Sequence, residues 1–343
     1  MTSNPTLGDL PPAPTGRTGW PWTEGPATTL PDLRPDGTPW PEITLVTPSF
    51  NQAPYLEETL RSVLLQGYPR LQYIVVDGGS TDGSVEIIQR YAPFLDHWLS
   101  ERDRGQTDAI RKGLALATGE VFNWLCSDDV FRPDVLRQVG SVWAPDRIVY
   151  GLARFIDEHG RDLGTCPGQT HHMTWDRLLE FGSYYLIQPA TFLPTWDVIA
   201  AGGPDLALHY VMDWDLYTRL RARTYVCVPA DLVGYRLHQT SKTFSQADRF
   251  VHDVEGIAAR LSAAGVLPDP RAKSLARLFA GRTYLMPNVR QRGRGLQALL
   301  QAVRQDPRRL PAALSVAAKG LLRPAMGERA WAMARSAQAW IRG

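Results

Sequence analysis

Cysteine is scarce in this 343-residue chain: Cys126, Cys166 and Cys227 lie far apart, with no Cys-x-x-Cys pair among them. That excludes a disulfide-stapled scaffold and points to a reducing compartment. Also missing is any uncharged apolar run long enough to span a bilayer, so an integral membrane protein is not expected. The first residues lack the apolar stretch of a secretory leader, and the expected location is cytoplasmic. A strong overall charge is absent too, at +2, and no nucleic-acid partner is expected. With 44% hydrophobic residues, the chain can bury a full core for one large α/β domain and a smaller appendage.

Charge and proline are unevenly placed. Residues 1–40 carry proline at positions 5, 11, 12, 14, 21, 26, 31, 35 and 39, which disfavours regular elements and predicts an extended arm. Trp20, Trp22 and Trp40 are its means of lying against the rest, although the sequence does not decide whether it docks. At the other end, residues 271–343 hold fifteen Lys and Arg against Asp306 and Glu328. There, arginines 290, 292, 294, 304, 308, 309, 323, 329 and 335 alternate with Leu299, Leu314, Leu321, Trp331, Trp340 and Ile341. Such a basic amphipathic segment suits peripheral contact with an anionic membrane face, or packing on the main domain or a second subunit.

Between these ends, strand-like and helix-like segments alternate. Apolar runs at Ile43–Thr47, Leu71–Val76, His97–Leu99 and Val121–Leu125 predict strands, and helical spacing predicts helices over 55–65, 85–91 and 107–117. The rhythm implies a mostly parallel sheet flanked by helices, with ligands gathering at the carboxyl ends of the strands. Beyond Arg147 the pattern loosens, and from Asp248 it is mainly helical. The expected division is an arm over 1–40, an α/β domain over 41–247 and a basic helical region over 248–343.

The polar motifs fall at those strand ends. Thr47-Pro48-Ser49-Phe50-Asn51 follows the first strand, and Asp77-Gly78-Gly79-Ser80-Thr81-Asp82-Gly83 follows the second. Glycines there permit positive φ and close approach of a ligand to the backbone, and Asp77 can accept hydrogen bonds from a base or ribose. Ser100 to Ala109 is a dense polar loop containing Asp108. Asn123-Trp124-Leu125-Cys126-Ser127-Asp128-Asp129 ends the fourth strand with adjacent carboxylates, a natural site for Mg²⁺ or Mn²⁺ carrying a substrate's phosphates.

Together with Gln188-Pro189-Ala190-Thr191-Phe192, Met212-Asp213-Trp214-Asp215-Leu216 and Tyr235-Arg236-Leu237-His238, this series resembles family 2 glycosyltransferases over about residues 42–245. The resemblance implies the GT-A fold, with a helical C-terminal extension here. It also implies transfer of one sugar from a nucleotide-diphosphate donor, UDP-sugar being the family's commonest, to an acceptor hydroxyl with inversion. A glycan or lipid-linked acceptor is expected, in polysaccharide, glycan or glycolipid assembly. By the same resemblance Thr47, Pro48 and Asp77 contact the nucleoside with Asp108 nearby, and Asp128 faces the donor's ribose or sugar. Asp129 holds the metal, His238 helps bind metal or pyrophosphate, and Asp213 is the general base, with Trp214 as an aromatic wall beside the sugar.

Two residues depart from the pattern: Cys126 stands where relatives usually have Asn or Asp, and Arg111 where Asn is frequent. The first supports an alternative, a catalytically inactive nucleotide-sugar-binding or scaffolding protein of the same fold. A sugar-nucleotide pyrophosphorylase would want glycine and a basic residue in the first loop, and the Thr47 to Asn51 loop has neither. The Gln-x-x-Arg-Trp motif of processive synthases is absent, which favours single-sugar transfer.

Overall fold

The computed structural model describes residues 5–25, 30–166, 168–180, 186–208, 210–220, 223–238, 247–285, 289 and 291–322. The first strand, β1 (Ile43–Ser49), is buried along its whole length because it lies between two others, which explains its unbroken apolar and β-branched run. It pairs in parallel with β2 (Leu71–Asp77) and with β4 (Val121–Trp124), and β2 pairs in parallel with β3 (His97–Ser100). Helices α1 (Ala53–Leu64), α2 (Ser84–Tyr91) and α3 (Gln106–Ala115) form the crossovers. Gly113 lets α3 sit close on β1: a Cβ there would come within 2.5 Å of the Val46 side chain.

The sheet changes character beyond β4. Strands β6 (Arg147–Ile156) and β9 (Thr224–Arg236) run parallel to each other, whereas β8 (Thr191–Pro194) is antiparallel to both β4 and β6. Short β5 (Val130–Phe131) and β7 (Asp162–Thr165) add antiparallel edges, giving the order β3-β2-β1-β4-β8-β6-β9-β5 with β7 on β6. The parallel reading therefore holds for the first four strands and gives way to mixed pairing in the second half. Helices α4 (Val135–Val142), α5 (Trp175–Leu179), α6 (Thr195–Ala200) and α7 (Met212–Arg219) flank that half.

The N-terminal arm is docked where it is described. Fully buried Arg61 on α1 donates to the carbonyls of Pro11, Pro21 and Trp22 at 2.8–3.2 Å, and its guanidinium lies over the Trp22 ring. The Trp20 indole donates to the Phe131 carbonyl, and Trp40 packs edge-on against Tyr68.

At the other end, α8 (Ala247–Ala263) and α9 (Asp269–Tyr284) pack into the same core as Val46, Trp124 and Trp214. Helix α10 (Arg292–Gln305) follows, with Leu299 buried against Gly281, and then α11 (Leu310–Leu322). Leu299 thus faces the protein and not a membrane, while Leu300, Leu310 and Leu314 are exposed. Arg290 and residues 323–343, including Arg323, Arg329, Arg335, Trp331, Trp340 and Ile341, lie outside the described residues, as does the side chain of Leu321. Among the described residues no helix is long and apolar enough to cross a membrane.

Candidate active site

Three loops meet at the carboxyl edge of the parallel strands. Asn51, at positive φ after β1, accepts from the Thr81 amide and donates its own amide to Ser80 Oγ, joining the first loop to the second. Asp77 closes β2 fully buried, accepting from the amides of Gly79 and Ser80 and from the hydroxyls of Ser80 and Ser100 at 2.5–3.0 Å. The third loop presses in so closely that a Cβ on Gly78 would meet Asp103 Oδ2 at 2.9 Å. Thr47, expected near the nucleoside with Pro48, is buried, and its hydroxyl shares a 2.9 Å hydrogen bond with Tyr73. Pro48 lies opposite Val76 in the parallel pair.

Asp108 sits in the first turn of α3, where negative charge suits the helix dipole. It accepts from the Arg104 guanidinium and amide, and these bonds hold its carboxyl below the usual range, with Lys112 adding 3.8 Å away. From the same helix, the Gln106 amide donates to Cys126 Sγ at 3.0 Å and so ties this loop to the acidic pair.

The two adjacent aspartates differ in environment. Asp129 is 3% exposed and accepts the backbone N–H of Arg236 at 2.9 Å. Burial first, and the neighbouring Asp128 charge second, push its carboxyl well above the usual range. Asp128 is more open, and its Oδ2 lies 2.8 Å from His238 Nε2. His238, itself 3% exposed, packs against the Tyr55 ring.

Arg236, which the sequence motif contained but to which no role was given, organises this corner. Its guanidinium is fully buried over the Tyr55 ring and donates to Glu58 and to the carbonyls of Asp128, Asp157 and Glu158. Thr59 of α1 donates to the Asp129 carbonyl at 2.7 Å. The acidic turn is therefore held largely through its backbone, with one oxygen of each carboxylate also engaged, Asp129 by the Arg236 N–H and Asp128 by His238. Cys126 Sγ and carboxylate oxygens of Asp128 and Asp129 all lie within 4.8 Å of one another. Two hard carboxylates and one softer sulfur in that space fit a divalent cation of the Mn²⁺ type.

Across the turn, Gln188 donates to the Trp124 carbonyl at 2.6 Å, linking the Gln188–Ala190 segment to the end of β4. Asp213 lies half-buried in the first turn of α7. Burial raises its carboxyl to about 6 against the lowering effect of the helix-terminal N–H groups of Trp214 and Asp213 itself. Among the described residues no side chain hydrogen-bonds to it. Asp215, two residues on, is instead paired with Arg219 and Arg260. Trp214 is not an aromatic wall: it is 6% exposed in the core, with its indole donating to the Leu178 carbonyl. Arg111 donates to the carbonyls of Gly202 and Pro204.

A parallel half carrying an acidic turn at its strand ends, joined to a mixed half, is the architecture of a GT-A glycosyltransferase. The chain belongs to glycosyl transferase family 2, whose sequence profile matches residues 44–187. A glycosyltransferase of Mycobacterium tuberculosis is 40% identical over 204 residues, covering 56% of this chain and 72% of that one. TuaG of Bacillus subtilis, named for teichuronic acid biosynthesis, is 37% identical over 106 residues, 29% of this chain and 42% of its own length. A Nostoc relative, 34% identical over 119 residues, is covered over only 37% of its length.

Two solved structures share the fold. Staphylococcus aureus TarS 1–349 in complex with UDP-GlcNAc has a TM-score of 0.58 at 17% identity, covering 88% of this chain and 89% of TarS. Mannosyltransferase PcManGT from Pyrobaculum calidifontis, in complex with GDP-Man and Mn²⁺, has a TM-score of 0.55 at 21% identity, with 90% and 87% covered.

Proposed function

We propose that this protein transfers a single sugar, with inversion, from a nucleoside-diphosphate donor to an acceptor hydroxyl, with Asp213 as general base. The observation that carries the reading is the Asp213 carboxylate itself, half-buried at a helix start, unpaired by any described side chain and raised to about 6. A carboxylate near that value is largely ionised at neutral pH and still basic enough to take a hydroxyl proton as the new bond forms. Asp215, locked between two arginines, has no such freedom.

In this reading the loops around Thr47, Pro48 and Asp77 receive the nucleoside, with Asp108 and Arg104 beside them. Asp128 and Asp129 hold Mg²⁺ or Mn²⁺, with His238 orienting Asp128 and Arg236 fixing the turn. When bound, the cation offsets charge on the departing diphosphate. A UDP-sugar donor is the leading choice, supported by TarS in complex with UDP-GlcNAc; PcManGT supports Mn²⁺ but with a GDP-sugar. A glycan or lipid-linked acceptor in surface polysaccharide assembly is supported by the likeness to TuaG. Peripheral contact with the inner membrane face, from a cytoplasmic location, rests on the basic C-terminal segment.

The test is Asp213→Asn, assayed for transfer and, separately, for donor binding. Transfer should fall by about 10²–10⁴, the usual contribution of a general base, with donor affinity kept. Wild-type turnover in that variant would remove Asp213 from the role.

A further inference from the structure

The residue before the acidic turn has no part in the reading above. Cys126 is half-buried, and its Sγ shares a 4.8 Å envelope with carboxylate oxygens of Asp128 and Asp129. Donors about 2.0–2.6 Å from one cation are never more than about 5 Å apart, so the three atoms can serve a single ion. The sulfur also receives the Gln106 amide N–H at 3.0 Å. A donor of that kind fixes a ligand atom's orientation and marks the sulfur's lone pairs as the acceptors at this spot.

We propose that Cys126 Sγ ligates the divalent ion alongside Asp128 and Asp129 and biases the site toward soft, thiophilic cations at the expense of Mg²⁺. The inference rests on the metal-assisted reading above and adds the identity of the selective ligand. As the sulfur–metal bond forms, the thiol proton passes to solvent, and no electrons are exchanged. Carboxylate oxygens favour hard ions, whereas a thiolate adds affinity that rises with the softness of the metal.

The experiment uses the full chain with UDP as the diphosphate probe. A Cys227→Ser background is used because Cys227 Sγ lies 3.8 Å from His171 Nδ1 and offers a competing thiophilic pair. Co²⁺ titration should produce a sulfur-to-cobalt charge-transfer band in the near ultraviolet. Cys126→Ser should abolish the band and weaken Cd²⁺ binding by about tenfold or more, the scale on which ligand-shell changes act. Mg²⁺ affinity should stay within about twofold, because the carboxylates remain. Cys126→Asn, with the same expected outcome, serves as the second variant should serine disturb folding. Co²⁺ binding without the band, or Cd²⁺ affinity unchanged in both variants, would overturn the inference and leave the metal-assisted reading standing. Failure of every cation to bind with UDP would overturn both.

Discussion

In the parallel half of the sheet the candidate site's carboxylates are already engaged, and in the mixed half one candidate is not. Asp77 is saturated by its own loops, and Asp108 is tied to Arg104. Asp213 meets only N–H groups of its own helix end among the described residues. The difference separates two uses of the same side chain. An aspartate that shapes a loop is stabilised by the fold, while one buried without a cation is held at some expense in stability.

The sharpest way to break the comparison is at the joint between the halves. Arg236→Met removes the partner of buried Glu58 and three further hydrogen bonds, so unfolding free energy should drop by about 3–5 kcal/mol. Denaturant titration reads this directly. A drop below 1 kcal/mol would mean that the acidic turn does not depend on the clamp.

Asp77→Ala comes next. It strands the amides of Gly79 and Ser80 and two hydroxyls inside the loop, at about 1–3 kcal/mol for the buried donors. Nucleoside-diphosphate affinity should fall at least about tenfold, with metal affinity measured without nucleotide little changed. Equal loss of both would dissolve the distinction between loop-shaping and cation-binding acids.

Asp213 should behave in the opposite sense. Its folded pKa of about 6 lies above the unfolded value, so the native state holds the proton more tightly. Its contribution to stability is favourable below the unfolded pKa and is lost as pH rises through about 6. Asp213→Asn should therefore raise stability at neutral pH, by about 1–2 kcal/mol, and flatten the pH dependence between 4 and about 6. In the wild type, transfer at saturating donor should decline as pH falls through about 6. Thermal melts at two pH values and a rate profile check both.

The smallest effect is expected from Arg104→Ala. The guanidinium is 73% exposed, so its pair with Asp108 should be worth less than about 1 kcal/mol and fade with added salt. A larger, salt-insensitive loss of donor affinity would place Arg104 on the ligand and not on Asp108.

The first half of the fold was legible because each of its elements shows its own period. The run at Ile43 and the spacing of Leu56, Leu60, Val63 and Leu64 are local signals, and β1 and α1 follow them within two residues. The second half was not, because β6 and β9 find each other across some seventy residues and both contain breaks. Register shifts interrupt their pairing near Leu152, and Pro229 interrupts β9. Among the candidate site residues, the environments of the acids were not legible. Nothing in Asp128-Asp129 tells which carboxylate is buried, since that depends on an amide more than a hundred residues away. Trp214 was misplaced for a similar reason: an indole beside a candidate base reads as a wall until its N–H is seen to meet Leu178.

Arg61 has a consequence for where this protein begins as a physical object. The family profile starts at residue 44, yet the acceptors that neutralise this buried guanidinium are carbonyls of Pro11, Pro21 and Trp22. A fragment cut at the profile boundary would lose those three carbonyls and keep, among the described hydrogen-bond partners, only the Tyr91 hydroxyl. Homology marks the part of the chain that evolution kept recognisable. The extent of the packed unit is set also by the carbonyls that the buried Arg61 charge engages.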